Sequence, residues 1–488
     1  MYGIIVILVV LAALIYLAFR GVSLLILAPG LATVAVVLTM DLPILGAYTQ
    51  IFMASAGNFI IQFFPVFLLG AIFGKLMEDS GSAEVMANAI IKALGQERAI
   101  LAVVLSCAVM TYGGVSLFVV AFAVYPIAAS LFRRADIPKR LIPGTIALGA
   151  FSFTMTALPG TPAIQNAIPM PFFGTSPFAA PGLGLITAAV MFVLGMWWLT
   201  WRAKRLAHEG YGDHPDAAAD ADTAAPAPDK YLRERAGGEG FDLMEVPVEQ
   251  APDDLPSPVV AILPLVLVVA LNLVFTFVVI PNLDTAFLAT PEFGATTLEQ
   301  VRGIWAVIAA LVLSILVVIA LNWRRLGELK RTVDDGANAS LLPIFNTASL
   351  VGFGAVIASL SAFTLIRDGV LGLGGDNPLI SLAIATNVLA GMTGSASGGM
   401  SIALSTLGDT YLAMAEARGI SPELLHRVAA VATGGLDTLP HNGAVITLLA
   451  ICGLTHRQAY LDLAMAAMVM PFIALIVLIT LGTLFGSF

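Results

Sequence analysis

The chain has 488 residues, of which 59% are hydrophobic and only 11% charged, with a mean hydropathy of +0.94. Soluble globular proteins carry about 25% charged residues, so this composition excludes a soluble enzyme, a disordered protein and a nucleic-acid-binding protein. A membrane helix needs about 20 apolar residues, and uncharged runs of about that length or longer lie at 2–19, 42–74, 99–132, 141–201, 377–408 and 464–488. The sequence therefore predicts an all-α polytopic membrane protein.

The formal net charge of −9 comes from one segment. Residues 206–256 hold 13 acidic residues against three basic ones, and the rest of the chain is close to neutral. Residues 214–230 are rich in Ala, Asp and Pro and have no periodicity, so they cannot bury enough apolar surface to offset the entropy of ordering. We predict a disordered, acidic cytoplasmic linker at 206–256 between a first repeat at 1–205 and a second repeat at 257–488.

The internal repeat is predicted from short motifs that recur in the same order in both halves. The matched segments are 70–72 with 354–356, 113–116 with 398–401, and 158–159 with 439–440, at offsets of 284, 285 and 281. Each match alone is weak, because small residues are common in membrane helices. The nearly constant offset is what indicates a repeat.

Basic residues predict the orientation, because Lys and Arg concentrate on the cytoplasmic side of membrane proteins. Helix 2–19 is interpreted as a retained first helix, not a signal peptide, and runs inward from an outside N-terminus. If helices 22–40 and 58–75 then alternate, 19 of the 23 Lys and Arg residues fall inside. Helices 258–281 and 341–363 then run outward, so the two repeats are predicted to be inverted, with both termini outside.

Each half also contains a hairpin and a broken helix. Segment 99–132 is too short for two full spans and has Arg residues at both ends, which predicts a re-entrant hairpin that turns near 111–114. Its counterpart at 379–417 turns at 393–399. The helices at 141–157 and 422–436 are predicted to break, at 158–162 and 437–443, and then to resume. Inverted repeats with paired broken helices are typical of secondary transporters, whose site lies near the midplane at the breaks.

The breaks predict an anion site. Helices that start near Val115, Ala163, Met400 and Ala444 would direct free N–H groups and partial positive charge at the midplane, which favours a carboxylate. The alternative for each Ser or Thr there is a small residue that lets helices pack closely. The candidate substrate-binding residues are Thr111, Gly113, Gly114, Ser116, Thr156, Thr161, Gln165 and Asn166 in the first half, and Ser395, Ser397, Gly398, Gly399, Ser401, Thr438 and Asn442 in the second.

Two ionisable residues, Asp437 and His441, lie in the second break. Such residues are costly inside a membrane and are functional by default, so both are candidates for proton coupling. The alternative is a static hydrogen-bonded pair. Asp409 is predicted either inside the membrane or at its outer surface. The sequence has no GxxxxGK phosphate loop and no Cys/His metal spacing, so we expect no ATP hydrolysis, no metal, no cofactor and no enzymatic activity.

Four segments resemble signatures of the gluconate:proton symporter (GntP) family, within the ion transporter superfamily: 70–81, 394–397, 420–424 and the break at 441–442. The resemblance extends over about 58–205 and 341–485. It implies proton symport of small sugar acids or hydroxy acids by an inverted-repeat fold, with an elevator-type movement of the hairpin domain. We expect a multi-pass protein of the bacterial inner membrane, with a small carboxylate, protons and the lipid bilayer as partners; a homodimer is compatible with this.

The sequence also departs from the gluconate-type pattern. Members of that type have histidines around the first break, whereas residues 156–161 contain none, and an Asn-Asp pair after the second-break His, whereas Asn442 is followed by Gly443. Fewer polar groups favour a smaller, less hydroxylated acid, and permeases for 3-hydroxybutyrate in the same family fit that description. Sodium coupling is the second interpretation, since carbonyls of broken helices can coordinate Na⁺. An anion channel or a membrane-embedded acyl transferase is the third.

Overall fold

The computed structural model describes residues 2–20, 22–115, 117–212, 255–375, 377–440 and 442–488. These residues form helices and connecting turns, with no β-strand among them. Most of the predicted linker, residues 213–254, lies outside them. In the described part of the chain, six helices are long and apolar enough to cross a membrane. The predicted all-α polytopic architecture is confirmed.

The helices of the first half precede the linker. They are α1 (Tyr2–Phe19), α2 (Leu24–Thr39), α3 (Ile44–Asp79), α4 (Ser82–Leu94), α5 (Ala99–Tyr112), α6 (Leu117–Arg134), α7 (Ile142–Ala150), α8 (Phe153–Thr156), α9 (Ile164–Ala167), α10 (Pro169–Phe173) and α11 (Pro181–Arg205).

The helices of the second half follow the linker. They are α12 (Pro258–Asn282), α13 (Leu298–Asn322), α14 (Leu329–Ala339), α15 (Leu341–Ala358), α16 (Phe363–Leu373), α17 (Pro378–Thr393), α18 (Ala396–Glu416), α19 (Pro422–Thr433), α20 (Gly443–Ile451) and α21 (His456–Phe485).

Capping residues define several helix starts. Proline occupies the first position of α12, α17 and α19, where its missing N–H costs nothing. The residue before each proline accepts a hydrogen bond from a backbone N–H in the first turn: Ser257 from Val260 at 3.4 Å, Asn377 from Leu379 at 3.0 Å, and Ser421 from Glu423 at 3.2 Å. The predicted start of a helix at Pro422 is confirmed.

The central spans of the two halves, α3 and α14–α15, lie side by side and run antiparallel. A Cβ at Gly336 would come within 2.8 Å of the Cα of Ile72, and a Cβ at Gly352 within 2.8 Å of the carbonyl oxygen of Phe52. Residue numbers therefore rise along one helix as they fall along the other. The glycines let the two backbones approach closely.

The closing helices, α11 and α21, are also antiparallel. Near one end the backbone N–H of Gly182 donates to the carbonyl oxygen of Phe488 at 2.8 Å. Near the other end Arg202 forms an ion pair with Asp462, with Nε to Oδ1 at 2.7 Å, and Trp198 donates to the same carboxylate at 3.1 Å. Asp462 is fully buried, so this ion pair fixes the two helices inside the protein.

Side-chain hydrogen bonds connect helix ends and loops that are far apart in the sequence. Thr332 at the start of α14 donates to Asp79 at the end of α3, at 2.7 Å. The segment after α11 is tied to the loop after α6, because the Tyr211 N–H donates to Asp136 at 3.1 Å. Elsewhere, Ser361 Oγ donates to Asp41 at 2.8 Å.

The prediction of one helix over 141–157 is wrong. Helix α7 ends at Ala150, and Ser152 has φ −113° and ψ −111°, outside the helical region. The Ser152 hydroxyl donates to the Leu148 carbonyl at 2.5 Å, and the Thr154 hydroxyl to the Gly149 carbonyl at 2.7 Å. These side chains compete with the backbone for the carbonyls of the last turn, and the first break therefore begins earlier than predicted.

Candidate functional site

The first hairpin, α5–α6, turns where the sequence places it. Gly114 has φ +92°, a conformation that L side chains rarely adopt. The Tyr112 hydroxyl donates to the carbonyl oxygen of Pro159 at 2.7 Å, so the hairpin tip lies against the first break. On its other side, a Cβ at Gly113 would overlap the side chain of Leu265 in α12. The tip is thus held between the break and α12.

The first break is organised by a buried amide. Asn166 donates through Nδ2 to the carbonyl oxygens of Thr161 and Pro177, both at 3.0 Å. The Thr161 hydroxyl accepts from the Ala163 N–H at 3.3 Å. Asn272 of α12 donates to the Gly160 carbonyl at 3.2 Å. These bonds satisfy backbone groups that a non-helical segment leaves open inside the protein.

Two buried residues of α19, His426 and Arg427, complete the contacts of the first break. His426 Nε2 lies 3.1 Å from Asn166 Oδ1, and its Nδ1 lies 2.7 Å from the Thr175 hydroxyl. Because an amide oxygen can only accept, Nε2 carries a proton. Arg427 Nη1 donates to the same Asn166 oxygen at 3.2 Å. Neither residue is among the candidates predicted from the sequence, although both are ionisable residues within the predicted membrane helix 422–436. Helical spacing does not show which face of α19 meets the break.

The second hairpin, α17–α18, turns at Gly394, which has φ +65°. Ser395 caps α18, because its hydroxyl accepts from the Gly398 N–H at 3.2 Å. Helix α18 therefore starts at Ala396, and the predicted start near Met400 is wrong. The arms approach so closely that a Cβ at Gly399 would overlap the backbone of Ala390.

The second break is organised by the amide of Asn442. Asn442 Nδ2 donates to Asp437 Oδ1 and to the carbonyl oxygen of Gly394, both at 2.8 Å. Asn442 Oδ1 accepts from the Ala444 N–H at 2.7 Å and caps α20. One amide side chain thus joins a carboxylate, the tip of the second hairpin and a helix N-terminus. Asp437 is half-buried and also lies beside the Ala396 amide at the start of α18.

The two breaks meet. A Cβ at Gly434, directly after α19, would lie 3.3 Å from Thr156 Cγ2 at the end of α8. At the other end of the contact series, a Cβ at Gly114 would lie 3.0 Å from Pro162. The tip of the first hairpin therefore contacts the first break, the first break contacts the second, and the second break contacts the tip of the second hairpin. This series of contacts brings the candidate residues of both halves into one region.

The candidate residues differ in how far the protein already satisfies them. Both polar atoms of Asn166 are bonded, the Ser401 hydroxyl donates to Ser397, and the Thr438 hydroxyl contacts the carbonyls of Gly435 and Ala467. The polar atoms of these three side chains already bond groups of the protein, as do those of Asn442. Within the described residues, Thr111 Oγ1 is buried with no hydrogen-bond partner, and no hydrogen bond involves the half-buried side chain of Gln165.

The remaining candidates lie in or near α18, or outside the described residues. Ser395 and Ser397 are half-buried, with their hydroxyls 3.4 Å apart. Gly398 and Gly399 are buried in the first turn of α18. Asp409, further along α18, is exposed. Ser116 and His441 lie outside the described residues.

Comparison with known proteins gives the family. A family model described as GntP family permease matches residues 1–174. The chain is 46% identical over 469 residues to a protein of Bacillus subtilis (strain 168) named "Uncharacterized transporter YxjC", covering 94% of each chain. The chain belongs to the GntP permease family. The resemblance that the sequence indicated is therefore confirmed.

One solved structure has a similar fold. It is the YdaH transporter of Alcanivorax borkumensis, a crystal structure described as revealing an unusual topology. The match has a TM-score of 0.54 and 16% identity, and covers 90% of the permease and 89% of the other chain. At that identity the likeness concerns the fold alone. Together with the family, it makes the protein a multi-pass membrane transporter and not an enzyme.

Proposed function

We propose that this permease is a secondary active transporter that carries a small hydroxy-monocarboxylate together with protons. The substrate would be 3-hydroxybutyrate or a gluconate-like sugar acid. The observation that carries the proposal is the contact between the two breaks, each of which also touches the tip of its own hairpin. Paired broken helices that meet inside the protein are where transporters of this kind bind their substrates.

The chemistry of this region suits a carboxylate. Helix α18 begins with Ser395 and Ser397, and α20 begins with the Asn442 cap, so hydroxyl groups and the positive ends of two helix dipoles lie there. The N–H groups of Gly398 and Ala444 bond the two capping side chains. The unpartnered hydroxyl of Thr111 and the amide of Gln165 add donors from the first half. We assign substrate binding to these residues and proton coupling to Asp437 and His441.

The proposal includes inverted repeats and an elevator-type movement of the hairpins and breaks against the long spans. Matched elements follow one another in the same order: α3 and α14–α15, then a hairpin, a break and a closing helix in each half. Both α3 with α14–α15 and α11 with α21 run antiparallel. Inversion requires this, because equivalent helices must cross the membrane in opposite directions.

The orientation can be tested by cysteine labelling. The two native cysteines, Cys107 and Cys452, are buried, so a single introduced cysteine supplies the signal. In the proposed bacterial inner-membrane orientation, with both termini outside, Ala135→Cys and Lys330→Cys react with an impermeant maleimide only from the cytoplasm. Thr290→Cys, in the exposed turn before α13, reacts only from outside. Labelling of positions 290 and 330 from the same side would contradict the inverted repeat.

Counterflow separates a carrier from the alternative of a channel. Liposomes containing the purified permease are loaded with unlabelled 3-hydroxybutyrate or gluconate and diluted into a trace of the labelled acid. A carrier accumulates label transiently above equilibrium, because bound substrate returns in exchange. A channel gives simple equilibration, and that result with both acids would overturn the proposal. Liposomes without protein are the control.

A further inference from the structure

The guanidinium of Arg427 places a fixed positive charge in the site region, within the predicted membrane helix 422–436. It lies on α19, five residues after Pro422, and is 0% exposed. The helix ends at Thr433, so the charge lies just before the second break while its side chain contacts the first.

All hydrogen-bond partners of this guanidinium among the described residues are neutral oxygens. Nε and Nη2 donate to the Ala179 carbonyl at 3.0 and 2.7 Å, and Nη2 lies 3.5 Å from the Pro177 carbonyl. Nη1 contacts Asn166 Oδ1 at 3.2 Å and the Thr156 carbonyl at 3.5 Å. None of these groups carries a negative charge.

The acidic side chain one turn before Arg427 attracts the guanidinium but forms no ion pair with it. Glu423 lies one turn earlier on α19, is exposed, and accepts from the Ala180 N–H at 3.4 Å. An exposed carboxylate is screened by solvent and contributes little to an ion pair. Arg427 forms no ion pair with it, whereas Arg202, between the closing helices α11 and α21, is paired with Asp462.

A buried and unpaired charge is expensive. The penalty for removing an ion from water is several kcal/mol, and neutral dipoles offset only part of it. Gly184 of α11 packs against both the first break and this side chain, because a Cβ there would lie 2.6 Å from the Ala157 carbonyl oxygen and 3.3 Å from Arg427 Nε. Carbonyl oxygens alone do not require a cation there, since an amide side chain also donates to them.

We propose that Arg427 determines the charge specificity of the permease: its guanidinium attracts the single carboxylate of the substrate, which in turn compensates the buried positive charge. Because the guanidinium N–H groups already contact protein oxygens, its action on the substrate is Coulombic through the low-dielectric interior. One fixed cation matches a monocarboxylate. The inference rests on the proposed function and names the residue that makes the site selective for anions.

Three variants separate the effect of the Arg427 charge from the effect of its hydrogen bonds. Arg427→Gln retains some donors for the carbonyls but removes the charge. Arg427→Lys retains the charge but cannot reproduce the contacts with four oxygens. Asn166→Asp keeps the guanidinium and replaces the oxygen 3.2 Å from Nη1 by a carboxylate, which neutralises the charge but loses the two bonds that Nδ2 donates to the Thr161 and Pro177 carbonyls. This variant is therefore judged by the ratio of acid to amide binding and not by absolute affinity. Folding of each variant is checked by gel filtration and thermal unfolding in detergent.

The readout is inhibition of exchange in liposomes by 3-hydroxybutyrate and by its uncharged primary amide, which has nearly the same shape. We expect the wild type and Arg427→Lys to prefer the acid. Arg427→Gln should bind the acid at least tenfold more weakly, while binding of the amide changes less than about threefold. Asn166→Asp should also lose the preference for the acid. If Arg427→Gln does not fold, the result for Asn166→Asp tests the inference.

Two results would overturn the inference. One is retention of the preference for the acid in Arg427→Gln or in a folded Asn166→Asp. The other is an equal loss for acid and amide in all three variants, which a purely structural role predicts. Failure of the proposed function looks different, because the wild type would then exchange neither 3-hydroxybutyrate nor gluconate.

Discussion

Asp437→Asn is expected to abolish accumulation of the substrate driven by a pH gradient while leaving exchange of substrate across the membrane partly intact. An asparagine cannot carry a proton, so net uphill transport loses its driving force. Its Oδ1 can still accept from Asn442, as the carboxylate does at 2.8 Å, so the break keeps its shape. Exchange needs no net proton movement. Uptake and exchange are measured in liposomes that contain no Na⁺.

The matched control is Asp409→Asn. This residue is also an aspartate near the second hairpin, on α18, but it is exposed, and the same substitution there should leave both activities unchanged. His441→Gln is the second test of coupling. If Asp437→Asn and His441→Gln both retain full pH-driven accumulation, the proton is carried by another group.

The same assay decides between protons and sodium. If the wild type accumulates substrate only when a Na⁺ gradient is present, and ignores the pH gradient, the permease is a sodium symporter. Asp437 would then be examined as a sodium ligand, since its carboxylate lies beside the backbone of the second hairpin tip. Proton coupling would be excluded by that result.

Much of the fold follows from one-dimensional patterns. The uninterrupted apolar run at 258–281 predicts a span, and α12 covers Pro258–Asn282, because helix length in a bilayer is set by hydrophobic thickness. The pair of glycines predicts the hairpin turn at Gly114, because few other residues adopt a positive φ. This signal too is local in the sequence.

Other features depend on contacts that no pattern encodes. The early end of α7 depends on how the hydroxyls of Ser152 and Thr154 are oriented. The position of Arg427 depends on which face of α19 meets the first break. Its neighbours are 248 to 271 residues away in the sequence. A sequence motif at the break therefore identifies the region but not the charge that lies behind it.

Asn442→Ser is expected to weaken substrate binding at least tenfold and to lower stability by less than Asn442→Leu does. Serine is a good N-cap, so it can still accept from the Ala444 N–H that Asn442 now binds at 2.7 Å. It cannot reach both Asp437 and the Gly394 carbonyl, so the second hairpin tip is no longer tied to the break. A hydrogen bond that this amide makes to the substrate carboxylate in the bound state is worth about 1.5–3 kcal/mol, which is about tenfold or more in affinity. Asn442→Leu should lose the cap as well and be less stable.

Asn377→Ser is the matched control for this prediction. Asn377 also caps a helix, accepting from the Leu379 N–H at 3.0 Å, but its amide donates to Thr483, near the end of α21 and away from the breaks. Affinity should therefore stay at the wild-type value. Thr161→Val, which removes a hydroxyl from the first break, should weaken binding about tenfold or more because it loses one hydrogen bond to the charged substrate. Unchanged affinity in Asn442→Ser, Asn442→Leu and Thr161→Val, measured by inhibition of exchange, would place the substrate away from both breaks.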